Sequence, residues 1–221
     1  MFAWNDESWG NAKAARSHDL TLADISHGMF AGTKVATAIG WRSVEAIAEG
    51  DQVLTFDGGL QTVVSVTREV VWSTARTMPT EQWPLFVPAG ALGNRDALHL
   101  LPMQAVMVES DAAEDMFGDP FALIPAAALD GFNGITPVAP QARIEIVRLH
   151  FATDQVVFAS AGGLIYCPKA TDIMADIFET RREGYTVLSV EAADLLVSCL
   201  EFEEQDRKVA AAPQIANFAF A

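Results

Sequence analysis

Gly28-Met29-Phe30-Ala31-Gly32-Thr33-Lys34-Val35-Ala36-Thr37 opens the stretch that decides the fold. Gly40-Trp41-Arg42-Ser43-Val44-Glu45-Ala46-Ile47, Gly50-Asp51-Gln52-Val53-Leu54-Thr55 and Asp57-Gly58-Gly59 complete it. Thr33 to Thr37 alternates and is rich in Val and Thr, the pattern of a strand. Ile39-Gly40 supplies a turn. Ser43 can cap a short helix from Val44 to Ala48, and Gly50 can end it in the left-handed conformation. Gln52 to Phe56 reads as a second strand. Asp57-Gly58-Gly59 is a hairpin signal, because glycine accepts the positive φ that such turns need.

Downstream, Leu60 to Trp72 reads as one long strand. Val64, Val66, Val70 and Trp72 fall on one face, and Ser65, Thr67 and Glu69 on a wet one. Leu85 to Leu92 is a short apolar segment, and Leu98 to Val108 reads as a single buried strand. Glu109 to Asp119 carries five acids, Glu109, Asp111, Glu114, Asp115 and Asp119. Ala113 breaks the spacing of a calcium loop, so a solvated loop is expected. Phe121 to Leu129, Ile144 to Phe151 and Gln155 to Ala159 are further apolar or alternating runs, with turns at Asp130-Gly131 and Thr153-Asp154. Short strands at close intervals predict a mainly β body. After Cys167-Pro168 the period becomes helical. Thr171 caps one helix bearing Ile173, Ile177 and Phe178, with Arg181, Arg182 and Gly184 at its end. Ser189 opens a second, with Ala192, Leu195, Leu196, Cys199 and Phe202 on one stripe. Upstream, residues 1–27 form a polar leader with one short helix near Leu20 to Ile25, capped by Thr21. Trp4 and Trp9 tack that leader to the body, with a partner-binding arm as the alternative.

Composition narrows the function classes. The chain of 221 residues is 51% hydrophobic and 19% charged, which is globular. A net charge of -15, from 29 acids against 14 bases, disfavours nucleic acid and anionic membrane surfaces. No apolar run reaches about 18 residues, so no membrane span is expected. The N-terminus lacks the basic-then-apolar order of a signal peptide. A cytoplasmic location is the expectation, with export that needs no N-terminal signal left open. Cys167 and Cys199 make no disulfide framework and no Cys-x-x-Cys pair. His18, His27, His99 and His150 are scattered, and His99 and His150 read as hydrogen-bonded structural residues. No phosphate loop, dinucleotide fingerprint, His-Glu-x-x-His or Gly-x-Ser-x-Gly motif is present. Neither a metal nor a cofactor is expected.

Several separated segments share one order and spacing. They are Gly32-Thr33, Trp41 to Glu45, Gly50 to Thr55, Asp57 to Gln61, Pro88 to Gly93, Leu98 to Val108, Ile124 to Ala126 and Val156 to Ala159. Together they resemble the Hint domain of Hedgehog proteins and inteins, in its bacterial Hedgehog/intein-type variety. The resemblance covers residues 28–166. It implies a horseshoe-like β fold of two pseudo-symmetric halves, with a leader at 1–27 and a C-terminal helical extension at 167–221.

Active members of that family attack the peptide bond just before an N-terminal cysteine, and a central-block histidine protonates the leaving nitrogen. Anchored on Gly32-Thr33, the nucleophile position falls on Gly28, or on Met29 with one deletion. Leu101-Pro102-Met103-Gln104 stands where a Ser-Pro-Gln-His pattern is expected, so Gln104 replaces the acid. Asp154 replaces a later histidine. The catalytic positions thus read as degenerate. Three functions follow: a structural or interaction module acting on a protein partner through the C-terminal helices and tail, a self-cleaving domain using Ser26 with His27, or a ligand- or peptide-binding module reusing the old cleft through Gln104, Asp154 and Thr33.

Overall fold

The computed structural model describes Leu22 and residues 25–72, 78–170 and 184–211, with side chains left out at 72 and 206–211. The leader before Leu22 and the helix expected from Thr171 lie outside these residues, as does the tail after 211.

Fourteen strands and two α-helices are described. The opening stretch yields β1 (Met29–Phe30), β2 (Lys34–Thr37), β3 (Gly40–Ser43), β4 (Gln52–Thr55) and β5 (Gly59–Thr62). β3 was not expected as a strand; it folds back on β2 with Val35 opposite Arg42. The expected helix is only a 3-10 turn at Val44–Ala46, and Ser43 gives it no side-chain cap. The Val44 N–H instead donates to the Thr33 carbonyl at 2.8 Å. Asp51 closes this corner: its Oδ2 accepts from the Ala48 N–H at 3.0 Å and from Arg42 at 2.9 Å.

The expected strand from Leu60 to Trp72 is broken. β5 stays with β4, while β6 (Ser65–Trp72) leaves for another sheet and pairs with β12 (Arg143–His150) over eight residues. Val63 is fully buried at the switch. The expected faces also fail, since Val64 and Val70 are exposed and Val71 is buried. The register explains this. Ser65, Thr67, Glu69 and Val71 stand opposite His150, Arg148, Ile146 and Ile144. That face is polar at one end and apolar at the other, and Leu22 and Ile25 pack on its apolar end. Leu22, Ile25, Val71, Leu101, Ile144 and Ile146 form a small core there.

The central apolar run also divides, into β8 (Leu98–Leu100) and β9 (Ala105–Glu109), with a turn between them that carries Gln104. β8 pairs with β7 (Leu85–Val87), which also pairs with β11 (Thr136–Pro137). The acidic stretch is not a loop: α1 (Asp111–Phe117) occupies it. Ser110 accepts from the Ala112 and Ala113 N–H groups, and Gly118 ends the helix at φ 81°. These are ordinary cap signals. β10 (Phe121–Pro125) follows, then a 3-10 turn at Ala126–Leu129.

β13 (Gln155–Ala159) and β14 (Gly163–Cys167) complete the main sheet, ordered β10-β9-β14-β13-β2-β4-β5 with β3 on β2. A second sheet runs β1-β12-β6 and a third β11-β7-β8, and every named pairing is antiparallel. The fold class is mainly β, as expected. α2 (Val190–Ala211) opens where Ser189 caps it, with Ser189 Oγ accepting from the Ala192 N–H at 3.3 Å. Its buried face is Ala193, Leu196, Val197 and Leu200, all in the main core. The expected stripe is out of phase, because Leu195 and Phe202 are 63% and 74% exposed. Among the described residues no helix is long and apolar enough to cross a membrane.

Candidate functional site

The chain enters the fold over the polar end of the β6–β12 face, and the peptide joining His27 to Gly28 is held from both sides. The Gly28 N–H donates to Gln104 Oε1 at 2.7 Å. Arg148 Nε donates to the His27 carbonyl at 3.2 Å. Arg148 is itself fixed by an ion pair with Glu69 on β6. The nitrogen and the oxygen of one peptide bond are thus each engaged by a side chain far away in sequence.

Gln104 is fully buried and both polar atoms of its side chain have partners. Its Nε2 donates to the Ala105 and Tyr166 carbonyls, both at 2.9 Å. The turn that carries it is pinned by the Ala126 N–H donating to the Gln104 carbonyl and the Ala127 N–H to that of Pro102, at 2.9 and 2.8 Å. An amide so held is an acceptor for the Gly28 N–H and has no proton to give a leaving nitrogen.

Gly28 has φ 132°, where side chains are strained, and a Cβ built on it would lie 2.5 Å from Ile146 Cγ2 and 3.1 Å from Arg148 Cγ. The space that a nucleophile's side chain would need is therefore filled by Ile146. Met29 is 2% exposed and its side chain belongs to the main core. Ser26 and His27 do meet, with Ser26 Oγ 3.2 Å from His27 Nδ1. Burial lowers the His27 pKa first, then Arg148 and His150, against a smaller opposing effect of Glu69. A neutral imidazole there can accept a proton.

The remaining expected positions lie elsewhere. Asp154 Oδ1 accepts from the Lys169 N–H at 2.8 Å, and Asp154 lines a cavity to which neither Gly28 nor Gln104 contributes. Thr33 is buried in the corner against Val44. His99 packs between Phe30 and Phe86, and His150 Nε2 lies 3.2 Å from Thr67 Oγ1. Cys167 is buried, and burial pushes its thiol up to about 12. Sequence reasoning did not identify Arg148, Glu69 or Ile146. The available signal was an acid and a base spaced to meet diagonally across two alternating strands.

The profile of the Hint domain matches residues 28–162, well over half of the chain, and the chain belongs to the Hint domain family. Three solved structures are similar to it. The bacterial intein-like domain from Clostridium thermocellum is 14% identical over 63% of this chain and 98% of that one, with a TM-score of 0.46. A splice-inactive variant of the AceL NrdHF class 3 split intein is 16% identical over 66% and 99%, with a TM-score of 0.35. The MchDnaB-1 intein is 16% identical over 61% and 98%, with a TM-score of 0.36. No curated protein matches the chain.

Proposed function

We propose that this protein is a Hint module that holds the peptide bond at its own junction without cutting it, and that it serves as a structural or interaction module. One observation carries the reading: Gln104 Oε1 accepts from the Gly28 N–H while Ile146 Cγ2 fills the place of a side chain at position 28. Cleavage at this bond needs an atom to attack the His27 carbonyl carbon and a proton for the departing Gly28 nitrogen. Arg148 could steady negative charge on the His27 oxygen. Neither of the other two requirements has a group to meet it, and a missing general acid alone costs about 10²–10⁴ in rate. Leu195 and Phe202, exposed on the outer side of α2, support a protein partner at the C-terminal helix.

Intact mass is the test. The purified chain, incubated with a thiol or with hydroxylamine, keeps its full mass if no acyl intermediate forms. Release of a fragment ending at residue 27 refutes the reading.

The contact between Ser26 Oγ and His27 Nδ1 favours a second reading. Ser26 Oγ would add to the Ile25 carbonyl carbon, His27 would take the hydroxyl proton and pass it to the Ser26 nitrogen, and the C–N bond would break to leave an ester. Hydroxylamine would then release residues 1–25. Ser26→Ala would abolish that product.

A further inference from the structure

The polar end of the β6–β12 face gathers more base than acid around the gripped peptide. Register places Ser65, Thr67 and Glu69 on that face opposite His150, Arg148 and Ile146. Arg68, Arg143 and Glu145 alternate with them and stand on the other face. Arg148 sits between its neighbours, donating to the His27 carbonyl at 3.2 Å and paired with Glu69. The His27 ring is partly buried, with Nδ1 3.2 Å from Ser26 Oγ.

This arrangement is built for neutral imidazoles. His150 Nε2 lies 3.2 Å from Thr67 Oγ1, and His150 Nδ1 is buried with no hydrogen-bond partner. An imidazolium carries two N–H donors, so a charged His150 would leave one of them buried and unmatched. Charge works against His27 in the same way. Arg148 and His150 both oppose a proton on its ring, and Glu69, which favours one, is already paired with Arg148. His99 packs between Phe30 of the entering strand and Phe86, and burial alone acts on it. The grip is also slight. Two side-chain hydrogen bonds hold the His27–Gly28 bond, one from the Gly28 N–H to Gln104 and one from Arg148, and Ser26 just upstream is exposed. A segment held in this way can leave without unfolding the sheets.

We infer that the held junction is an acid-released latch: proton uptake by His27, beside Arg148 and His150, lifts residues 26–28 off the β6–β12 face and frees the Gly28 N–H from Gln104. The inference rests on the reading of an uncut junction. At neutral pH the module holds the start of its β body closed, and on acidification it lets that segment go. Lifting carries the new charge away from Arg148 and His150 and into water, which is the source of the coupling.

Native-state hydrogen exchange of the full chain, read at single amides by NMR at pH 7.5 and pH 5, tests it. Protection is taken relative to the intrinsic rate at the same pH. That of the Gly28 N–H should fall by about threefold or more on acidification. The ceiling is about thirtyfold, for a group of pKa 6.5 that titrates only when the latch is open. Low urea should leave Gly28 protection unchanged while lowering that of β9 and β13 amides, because a local opening exposes little surface. His27→Gln should flatten the pH response, His150→Gln should shrink it by removing one opposing charge, and His99→Gln should leave it as it is. Near-ultraviolet circular dichroism checks folding, and His27→Asn takes the place of His27→Gln should that variant not fold. Constant protection at Gly28, protection that follows urea in step with β9 and β13, a response unchanged in the folded His27 variant, or one abolished by His99→Gln overturns the latch. Intact mass separates the two readings. A fragment ending at residue 27 refutes the uncut junction and the latch with it, whereas full mass with constant protection refutes the latch alone.

Discussion

Placing any side chain at position 28 should destabilise the fold through Ile146, and the size of the effect can be worked from the structure. The backbone at Gly28 has φ 132°. A residue other than glycine held in such a region costs about 1–3 kcal/mol. The added Cβ would stand 2.5 Å from Ile146 Cγ2, well inside the roughly 3.5–4.0 Å of a relaxed carbon contact. Overpacking of this kind adds about 1–3 kcal/mol. Gly28→Ala is therefore expected to lose about 2–6 kcal/mol, and about 2–4 °C of melting temperature for each kcal/mol in a chain of this size. Ile146→Ala, at a fully buried position, should cost about 2–5 kcal/mol alone. In the double variant the steric part disappears while the backbone part stays. The two losses should then fall short of additivity by about 1–3 kcal/mol. Urea unfolding of the four proteins, followed by circular dichroism, measures the cycle. Two results would refute the reasoning: Gly28→Ala within about 0.5 kcal/mol of the parent, or a cycle additive to about that margin.

Gln104→Ala removes the partner of the Gly28 N–H and of two buried carbonyls, and should cost about 3–9 kcal/mol by the same urea assay, at about 1–3 for each of the three groups left unpaired. Gly28→Cys combined with Gln104→His should still show an intact mass, because Ile146 occupies the nucleophile's space; release of a fragment ending at residue 27 would contradict this. Burial lowers the pKa of His27, His99 and His150 from 6.5, so the unfolded chain takes up protons before the folded one. Their contribution to stability is present above about 6.5 and lost as pH falls through the folded values, so the melting temperature should drop on acidification below that point. A flat profile between pH 7 and 5 would count against it. A thiol reagent should label Cys199 in the native protein and Cys167 only after unfolding, since the latter is buried with its thiol pushed up to about 12. Labelling of native Cys167 at the same rate would refute its burial.

Much of the fold was legible because local signals agreed with one another. The β2, β4 and β5 region shows this best: alternation, Gly50 and the Asp-Gly-Gly turn all point to one hairpin path. The meeting of Gly28 with Gln104 was in the sequence only through the family resemblance, which sets a central-block group against the departing nitrogen. The rest failed for identifiable reasons. Leu98 to Val108 looked like one strand because the intervening turn is apolar in sequence too, although only Leu101 and Gln104 of it are buried and Met103 is exposed. The acids at 109–119 suggested a loop, although Ser110 and Gly118 mark a helix. In α2 apolar residues occur on both sides, so periodicity alone could not choose between Leu195 and Leu196. Arg148 was hidden because its role depends on a register between strands about eighty positions apart.

β14 has a practical consequence for anyone dissecting this chain. The family match ends at 162, and β14 begins at Gly163 and lies between β9 and β13 inside the main sheet. The boundary recognised by homology therefore cuts through the cooperative unit. A fragment stopping there would bare the edges of both neighbouring strands and also lose the α2 side chains that pack on Ala126–Leu129 and β10. Such a fragment should aggregate or remain molten, whereas in the whole chain amides on β9, β13 and α2 should exchange with solvent together.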